Sequence, residues 1–377
     1  MKILLVGEYS RLHNSLKEGL LKLGHEVTII GSGDDFKDYP VDIRIDNRYR
    51  SGWRKKIMVL CHILFGINLK ANSIQKQFFA NSDRLKGFDI VQLINESPLG
   101  ATPAIEQEII GFLKQHSKKL FLLSCGTDHI SVSYAYEKKF RYSILTPLFE
   151  GKVSRKKFDP VLKYLRPEYR KLHEFVYQLV DGVIASDLDY HIPLQGHPKY
   201  LGLIPNPVNT DSIEYIPPLI GDRIVIFHGI NRANYYKKGS DYFEEALQKL
   251  DRKYGDRIEI ITVENVPYVE YIRLYDKAHI LLDQVLGYDQ GYNALEAMAK
   301  GKVVLTGAEK EHTDYFNLTG PVALNALPDA ESIYNRLAEL IEHPDKIVAI
   351  SRSAREFIEK EHYYIEIAKK YIQKYGS

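Results

Sequence analysis

The sequence predicts an α/β protein of two doubly wound, Rossmann-like parallel-sheet domains, and three observations carry that expectation. At the start, Lys2–Val6, a helical repeat of Leu12, Leu16, Leu20 and Leu23 closed by Gly24, and Glu26–Ile30 alternate strand, helix and strand within about 30 residues. Such a βαβ unit closes on a parallel sheet whose ligand edge lies at the strand C-termini. Farther on, Tyr200–Asp211 (YLGLIPNPVNTD) sets two prolines and two asparagines behind an apolar run, the mark of a junction, and a second strand–helix series opens at Arg223–His228 (RIVIFH). The 377 residues suit two domains of roughly 150–200 residues better than one core.

Apolar residues make up 45% of the chain, enough for two cores, and the formal net charge of +2 argues against a dedicated nucleic-acid binder. Cys61 and Cys125 are far apart and in no metal-type spacing, which suits a reducing cytoplasm and two plain buried residues. Met1–Gly7 reads as a first strand, not an export signal. The longest apolar run, Ile57–Ile67, is too short to span a bilayer. Tyrosine is abundant, with 27 residues, which is compatible with stacking on sugars.

In the first half, Ser10 is placed to cap the first helix. His13, on that helix, is either an ordinary surface histidine or an acceptor-side group. Gly31-Ser32-Gly33 lacks the third glycine of a dinucleotide fingerprint and reads as a turn, so no nicotinamide or flavin site is expected. Phe88–Ile94 and Lys119–Ser124 are buried strands flanking a helix over Ala101–Gln115. In the turn Cys125–His129, Asp128 either caps the next helix or contacts substrate. Asp187-Leu188-Asp189 spells a DxD motif, but it lies beyond a strand of the first domain and is read as coincidence, so no metal is expected.

Two segments are basic. Arg48, Arg50, Trp53, Arg54, Lys55 and Lys56 precede the apolar run Ile57–Ile67, and lysines and arginines from Lys138 to Lys171 crowd Tyr134–Lys171. They are either solvated faces or a surface that approaches anionic lipid or a lipid-diphosphate acceptor, with Trp53 and the apolar run dipping into the interface.

In the second half, Lys237-Lys238-Gly239-Ser240 precedes a helix with Phe243, Ala246, Leu247 and Leu250 on one face. Leu281–Leu305 then reads as a buried strand ending in the polar Asp283, a loop through Gly291, a helix over Asn293–Lys300, and a further strand, Lys302–Thr306. Gly291 is read as a site of special backbone conformation or close approach, and Gly301 as a helix C′ residue with positive φ. The helix start near Asn293 and Ala294 offers backbone N–H groups to a phosphate. One turn in, Glu296 is either an exposed helix acid or an acceptor for two sugar hydroxyls. Ala330–His343 is helical, and Asp345–Tyr375 reads as one long helical tail.

These residues carry a resemblance. Glu296–Val304 (EAMAKGKVV) resembles the donor-site segment of GT-B glycosyltransferases, in particular the retaining enzymes around glycosyltransferase family four. That family commonly has a first carboxylate before this motif; here position 288 is Tyr and the nearest acid is Asp289. Asp283, Gln284, Gly291 and Glu296 fit instead a bacterial variant that reads D-Q-L, a short loop, G and E-A-M-A. Tyr200–Asp211 resembles the interdomain signature I-P-N-G-V-D-T-D, Val180–Ser186 the strand A-D-x-I-I-A-x-S, and Cys125–Asp128 the H-G-S-D turn. Lys238-Gly239 matches the family's K-G; Ile230 stands where Arg is usual, with Arg232 two residues later as a substitute.

The resemblance implies a GT-B fold with a cleft between the domains: an acceptor-side domain over 1–205, a nucleotide-sugar domain over 206–355, and a closing helix over 356–377 that packs back on the first domain. It implies transfer of a sugar from a nucleotide-diphosphate donor to a hydroxyl of a saccharide or lipid-linked acceptor, without a metal and with retention. Arg232, Lys238, Gly291, Asn293, Ala294 and Glu296 become the donor contacts, and His13 and Asp128 the catalytic candidates. The setting it implies is bacterial surface polysaccharide or glycolipid assembly, in the cytoplasm or at the inner membrane face. The rivals are a sugar-nucleotide epimerase of the same fold and a non-catalytic scaffold.

Overall fold

The computed structural model describes residues 1–34, 38–46, 48–49, 51–264, 266 and 268–376. It contains two compact units. One joins Met1–Ser133, Pro160–Pro207 and Tyr364–Ser377; the other joins Tyr134–Asp159 and Val208–Tyr363.

Among the described residues, the first unit is built on a seven-stranded sheet. Its strands are β1 (Lys2–Val6), β2 (Glu26–Gly31), β3 (Ile43–Arg44), β4 (Phe88–Leu93), β5 (Ser117–Ser124), β6 (Gly182–Ala185) and β7 (Tyr200–Leu203), in the order β3-β2-β1-β4-β5-β6-β7. Every pairing is parallel. Alternation sends β1 side chains to two cores. Ile3 and Leu5 join Leu12, Leu16, Leu20, Phe121, Tyr371 and Tyr375 on one face. Leu4 and Val6 join Ile74, Phe78, Ile109, Leu113 and Val176 on the other. The helices Leu12–Lys22 and Tyr364–Gly376 cover the first face and pack on each other at Gly19, where an added Cβ would sit 2.4 Å from the Tyr364 carbonyl oxygen. The strand order reverses direction between β1 and β4, so the crevice of this unit lies at their C-terminal ends.

The second unit has five parallel strands, β8 (Ile224–Ile230), β9 (Ile258–Glu264), β10 (Ile280–Leu282), β11 (Val303–Thr306) and β12 (Leu324–Asn325), ordered β12-β11-β10-β8-β9. The switch point falls between β8 and β10, where Ile226 pairs with Ile280. The helix Ser240–Tyr254 buries Phe243, Ala246, Leu247 and Leu250, the face its spacing predicts. Gly301 follows the helix Tyr292–Ala299 with φ +92°, the left-handed geometry of a C′ glycine.

Several expectations are corrected. Ser10 does not cap the first helix: it takes φ +51°, the N-cap is Arg11 at φ +73°, and the capping oxygen comes from Glu8, which accepts from Asn14 N at 2.8 Å. The helical tail is two helices, Asp345–Glu361 and Tyr364–Gly376, shared between the two units. Tyr134–Asp159 clusters with the second unit although it lies within the first domain's stretch of sequence. Arg141 explains why: its guanidinium holds Glu309 at 2.8 Å and Glu311 at 2.6 Å, and the Tyr142 hydroxyl donates to Glu309. Lys152 pairs with Asp241 at 3.1 Å. Lys139, Arg141 and Lys152 of that basic segment are therefore paired with acids of their own unit. Neither cysteine is fully buried.

Candidate functional site

The crevice at β8 and β10 is assembled around Asp283, the first residue beyond β10. Gly239 takes φ +69° after the short helix Tyr235–Lys238, and an added Cβ there would meet Val285 Cβ at 2.7 Å. The Lys238 carbonyl accepts from Val285 N at 2.8 Å. This close contact brings Lys238 Nζ to 2.8 Å from Asp283 Oδ1. Asn293 Nδ2 reaches the same oxygen at 3.4 Å, and Thr306 Oγ1 reaches Oδ2 at 3.4 Å. The carboxylate is buried, so its charge is tolerable only with these partners. Lys238, a third exposed, keeps part of its ammonium toward solvent.

The donor-side candidates fall around this centre with different standing. Asn293 touches Asp283, and Lys238 is held by it. Arg232, two residues beyond β8, is exposed and pairs with Glu264 at 2.7 Å, with its guanidinium 5.0 Å from the Tyr235 ring centre. An exposed pair of this kind is held weakly against water. Glu296 is half-buried, and its charge acts on Tyr275, whose phenol is pushed well above its ordinary pKa by burial first and Glu296 next.

Two expectations in this stretch fail on geometry. Gly291 sits at φ −70° and ψ 161°, open to any residue, and an added Cβ would meet Asp283 and Gln284 only at 3.6 and 3.7 Å, ordinary contact. Ala294 is fully buried and its N–H already donates to Gly291 O at 2.9 Å, so it offers no free donor at the helix start. The position of the family's first acid, Tyr288, is also buried. Its ring packs 5.0 Å from Phe140 and 5.4 Å from Tyr142, and its hydroxyl accepts from Arg141 N at 2.9 Å. Asp289 beside it is turned to Gln290 N at 2.7 Å and lies 3.7 Å from His312 Nε2.

His228, in the last turnings of β8, was not singled out by sequence. It is buried, and its Nδ1 has no hydrogen-bond partner among the described residues. Burial first, then the charges of Lys238 and Arg232, push its pKa down to about 4. A polar residue ending the apolar run RIVIF was the signal available.

The crevice of the first unit places its own candidates. His13 is fully buried. Its Nδ1 lies 2.7 Å from Gly7 O and its Nε2 3.2 Å from Gln92 Nε2, while Gln92 Oε1 accepts from Tyr375 OH at 2.7 Å. Burial pushes its pKa down to about 4, so it is a neutral core histidine that ties the first helix to β4 and the last helix. Asp128 is buried too. Its Oδ1 accepts from Ser131 N at 2.7 Å, Ser131 Oγ accepts from Asp128 N at 3.2 Å, and its Oδ2 accepts from Ser124 Oγ at 2.5 Å. That is a reciprocal helix cap, the structural one of its two readings. Asp187 likewise caps the helix Leu188–Leu194.

The residue that sequence reasoning passed over here is Glu8, two beyond β1. It is 3% exposed; Oε2 accepts from Asn14 N and Nδ2, while Oε1 is buried with no partner among the described residues. Burial pushes its pKa up to about 7. The next two residues but one, Ser10 and Arg11, both take positive φ, strain of a kind that clusters at functional loops. An acid directly after the first strand of a βαβ unit was the sequence signal.

Solved structures of known proteins resemble this chain over its whole length. Sucrose-phosphate synthase from Thermosynechococcus elongatus has a TM-score of 0.62 at 14% identity, over 100% of this chain and 98% of that one. Anabaena Alr3699/HepE, solved with UDP and glucose, has a TM-score of 0.58 at 12% identity over 99% of each chain. The UDP-GlcNAc 2-epimerase of Neisseria meningitidis, bound to UDP-GlcNAc, has a TM-score of 0.51 at 13% identity over 99% of each. These likenesses establish the fold: two Rossmann-like domains of the GT-B type. No curated protein matches by sequence. Residues 233–373 match the family described as Glycosyl transferase-like. The chain has the GT-B fold, and its C-terminal part resembles a glycosyltransferase family. The matched stretch begins one residue after Arg232 and contains Lys238, Asp283, Asn293 and Glu296, whereas Glu8, His13 and Asp128 lie outside it.

Proposed function

We propose that this protein is a glycosyltransferase that moves a sugar from a nucleoside-diphosphate sugar to a hydroxyl of a saccharide or lipid-linked acceptor, with retention, in bacterial surface polysaccharide or glycolipid assembly at the cytoplasmic face of a membrane. The observation that carries the donor half is the Asp283-centred cluster: a buried acid at the β8–β10 switch point that aims Lys238 and Asn293 at the place where such folds hold ligands. In this reading Lys238 and Arg232 face the diphosphate, the half-buried Glu296 accepts hydroxyl hydrogen bonds from ribose or hexose, and no metal is required.

The acceptor oxygen bonds to the anomeric carbon on the face the leaving group occupies. The bond from that carbon to the phosphate oxygen breaks, the nucleoside diphosphate leaves with the electron pair, and the hydroxyl proton passes to the departing phosphate. The two cations act where charge develops, which is how an electrostatic site lowers a barrier. Glu8, with one unpartnered oxygen at the crevice of the first unit, is the acceptor-side group this reading favours over His13 and Asp128.

The test is a thermal-shift panel of UDP, GDP, ADP and dTDP with wild type, Arg232→Ala and Glu296→Ala. A ligand that binds the folded state raises the midpoint by mass action. One base is expected to raise it, and both variants to blunt the rise; no shift with any nucleotide refutes the donor site. The fold shared with a UDP-GlcNAc 2-epimerase supports a second reading. Incubation of the productive nucleotide-sugar without acceptor separates the two, because an epimerase yields an isomeric nucleotide-sugar and a transferase does not.

A further inference from the structure

We propose that the helix Gly52–Phe65 is a docking element for an anionic lipid bilayer, entering it with its apolar C-terminal end while the basic N-terminal end stays among the headgroups. None of its residues is buried. Trp53 is 67% exposed, Ile63 72% and Phe65 69%, and Leu60, Leu64 and Ile67 are exposed with them. Single exposed apolar residues are ordinary, but a whole helix of them marks an interaction surface. The next helix, Leu69–Ala80, is by contrast anchored: Ala71, Ile74 and Phe78 enter the core, and the chain bends by 107° between the two. The first helix therefore stands off the core on a fixed root.

Charge selects the occupant. Between Asp46 and Asp83 the sequence has no Asp or Glu, and Arg54, Lys55 and Lys56 are exposed at the start of the helix. Cations beside an exposed apolar segment match a surface of anionic headgroups over hydrocarbon. Tryptophan at the same level is the usual residue of the headgroup boundary. The cations and the apolar residues follow one another along the helix instead of sharing opposite faces, which favours oblique, tip-first entry. At 1.5 Å per residue, 14 residues reach roughly 21 Å, less than the roughly 30 Å of a hydrocarbon core, so the helix inserts without crossing. Among the described residues no single helix is long and apolar enough to cross a membrane. The docking stands on the helix itself; its purpose, bringing the enzyme to a lipid-linked acceptor, rests on the sugar-transfer reading.

The test is co-sedimentation of the full chain with phosphatidylcholine vesicles and with vesicles carrying 30% phosphatidylglycerol, at low and high salt. Wild type is expected to bind the anionic vesicles at least tenfold better than the neutral ones, and less well at high salt. The triple variant Leu60→Glu, Ile63→Glu, Phe65→Glu should lose binding at least tenfold. Lys55→Glu with Lys56→Glu should lose the preference for anionic lipid. Because these side chains are not buried, circular dichroism and the nucleotide-induced thermal shift should be unchanged. A fluorophore on Cys61, with Cys125→Ser, should shift to the blue on anionic vesicles. No vesicle binding by wild type, or undiminished binding by the triple variant, overturns the proposal. A wild-type dimer that the triple variant disperses and that ignores vesicles assigns the helix to self-association and overturns it as well. Vesicle binding without any nucleotide shift would sink the sugar-transfer reading and leave the docking helix standing.

Discussion

Asp283 and Glu8 are two buried acids with opposite arrangements, and each makes a prediction. Asp283 is matched by Lys238, so Lys238→Ala leaves a buried carboxylate short of its cation. A loss of about 1–3 kcal/mol is expected in denaturant unfolding, reduced from the cost of a fully buried pair because Lys238 is partly exposed. Adding Asp283→Asn should recover part of it, and a double-mutant cycle that shows no coupling would remove Asp283 from its central role. Glu8 is unmatched on one oxygen, and its pKa is pushed up to about 7 from 4.5 by burial. Between those values the folded state binds more protons than the unfolded state, so Glu8 takes stability away as pH rises from about 4.5 to 7. The full effect is on the order of 3 kcal/mol. His13 has the opposite sign: with its pKa lowered to about 4, it takes stability away as pH falls below 6.5. Glu8→Gln keeps an acceptor for Asn14 and should gain on wild type as pH goes from 5 to 8; a difference that is flat with pH would mean Glu8 titrates normally. Such a cost at neutral pH supports the acceptor-side role proposed for Glu8. Both acids stand at strand ends in the sequence, but neither the orphaned oxygen nor the depth of burial is visible there.

Elements were more legible than the contacts between them. The leucine spacing marks the first helix and the face of Ser240–Tyr254, and the EAMAKGKVV stretch marks the helix Tyr292–Ala299 and its closing glycine. Ser10 was misplaced because capping depends on where the chain turns, and two left-handed residues moved the turn so that Glu8 reaches the helix start instead. Gly291 and Gly239 show the same limit. Both precede helices of the second unit, yet only Gly239 needs to be glycine, for its φ of +69° and its contact with Val285. Gly239→Ala should therefore cost more than about 1 kcal/mol and weaken nucleotide binding by shifting Lys238, whereas Gly291→Ala should fold normally. Equal midpoints and equal nucleotide shifts for the two variants would contradict this account. The apolar run of Gly52–Phe65 was readable as composition, but that no residue of it turns inward is a fact of packing.

At the scale of the whole molecule, the doubly wound architecture is local in origin and was readable from strand–helix alternation. The division of the chain was not, because it depends on a few distant side chains: Arg141 and Tyr142 bind Tyr134–Asp159 to Glu309 and Glu311. Tyr364–Gly376 joins the first unit by covering Leu12, Leu16 and Phe121 with Tyr371 and Tyr375. Deleting residues 364–377 should expose that face and make the first unit protease-sensitive and aggregation-prone, while the second unit resists proteolysis; a deletion variant with an unchanged midpoint would show the closing helix to be dispensable. The same division bears on how the protein is made. A ribosome delivers the chain from its N-terminus, and domains generally fold in that order. Here the first unit is not complete until residues near 376 emerge, after all of the second unit has been translated. The nascent N-terminal sheet must then wait, with one apolar face covered only in part by the helix Leu12–Lys22, for the segment Tyr364–Gly376. Its maturation is thus tied to synthesis of a segment that follows the whole second unit, and a product stalled or clipped before that segment would carry a finished second unit and an unfinished first one.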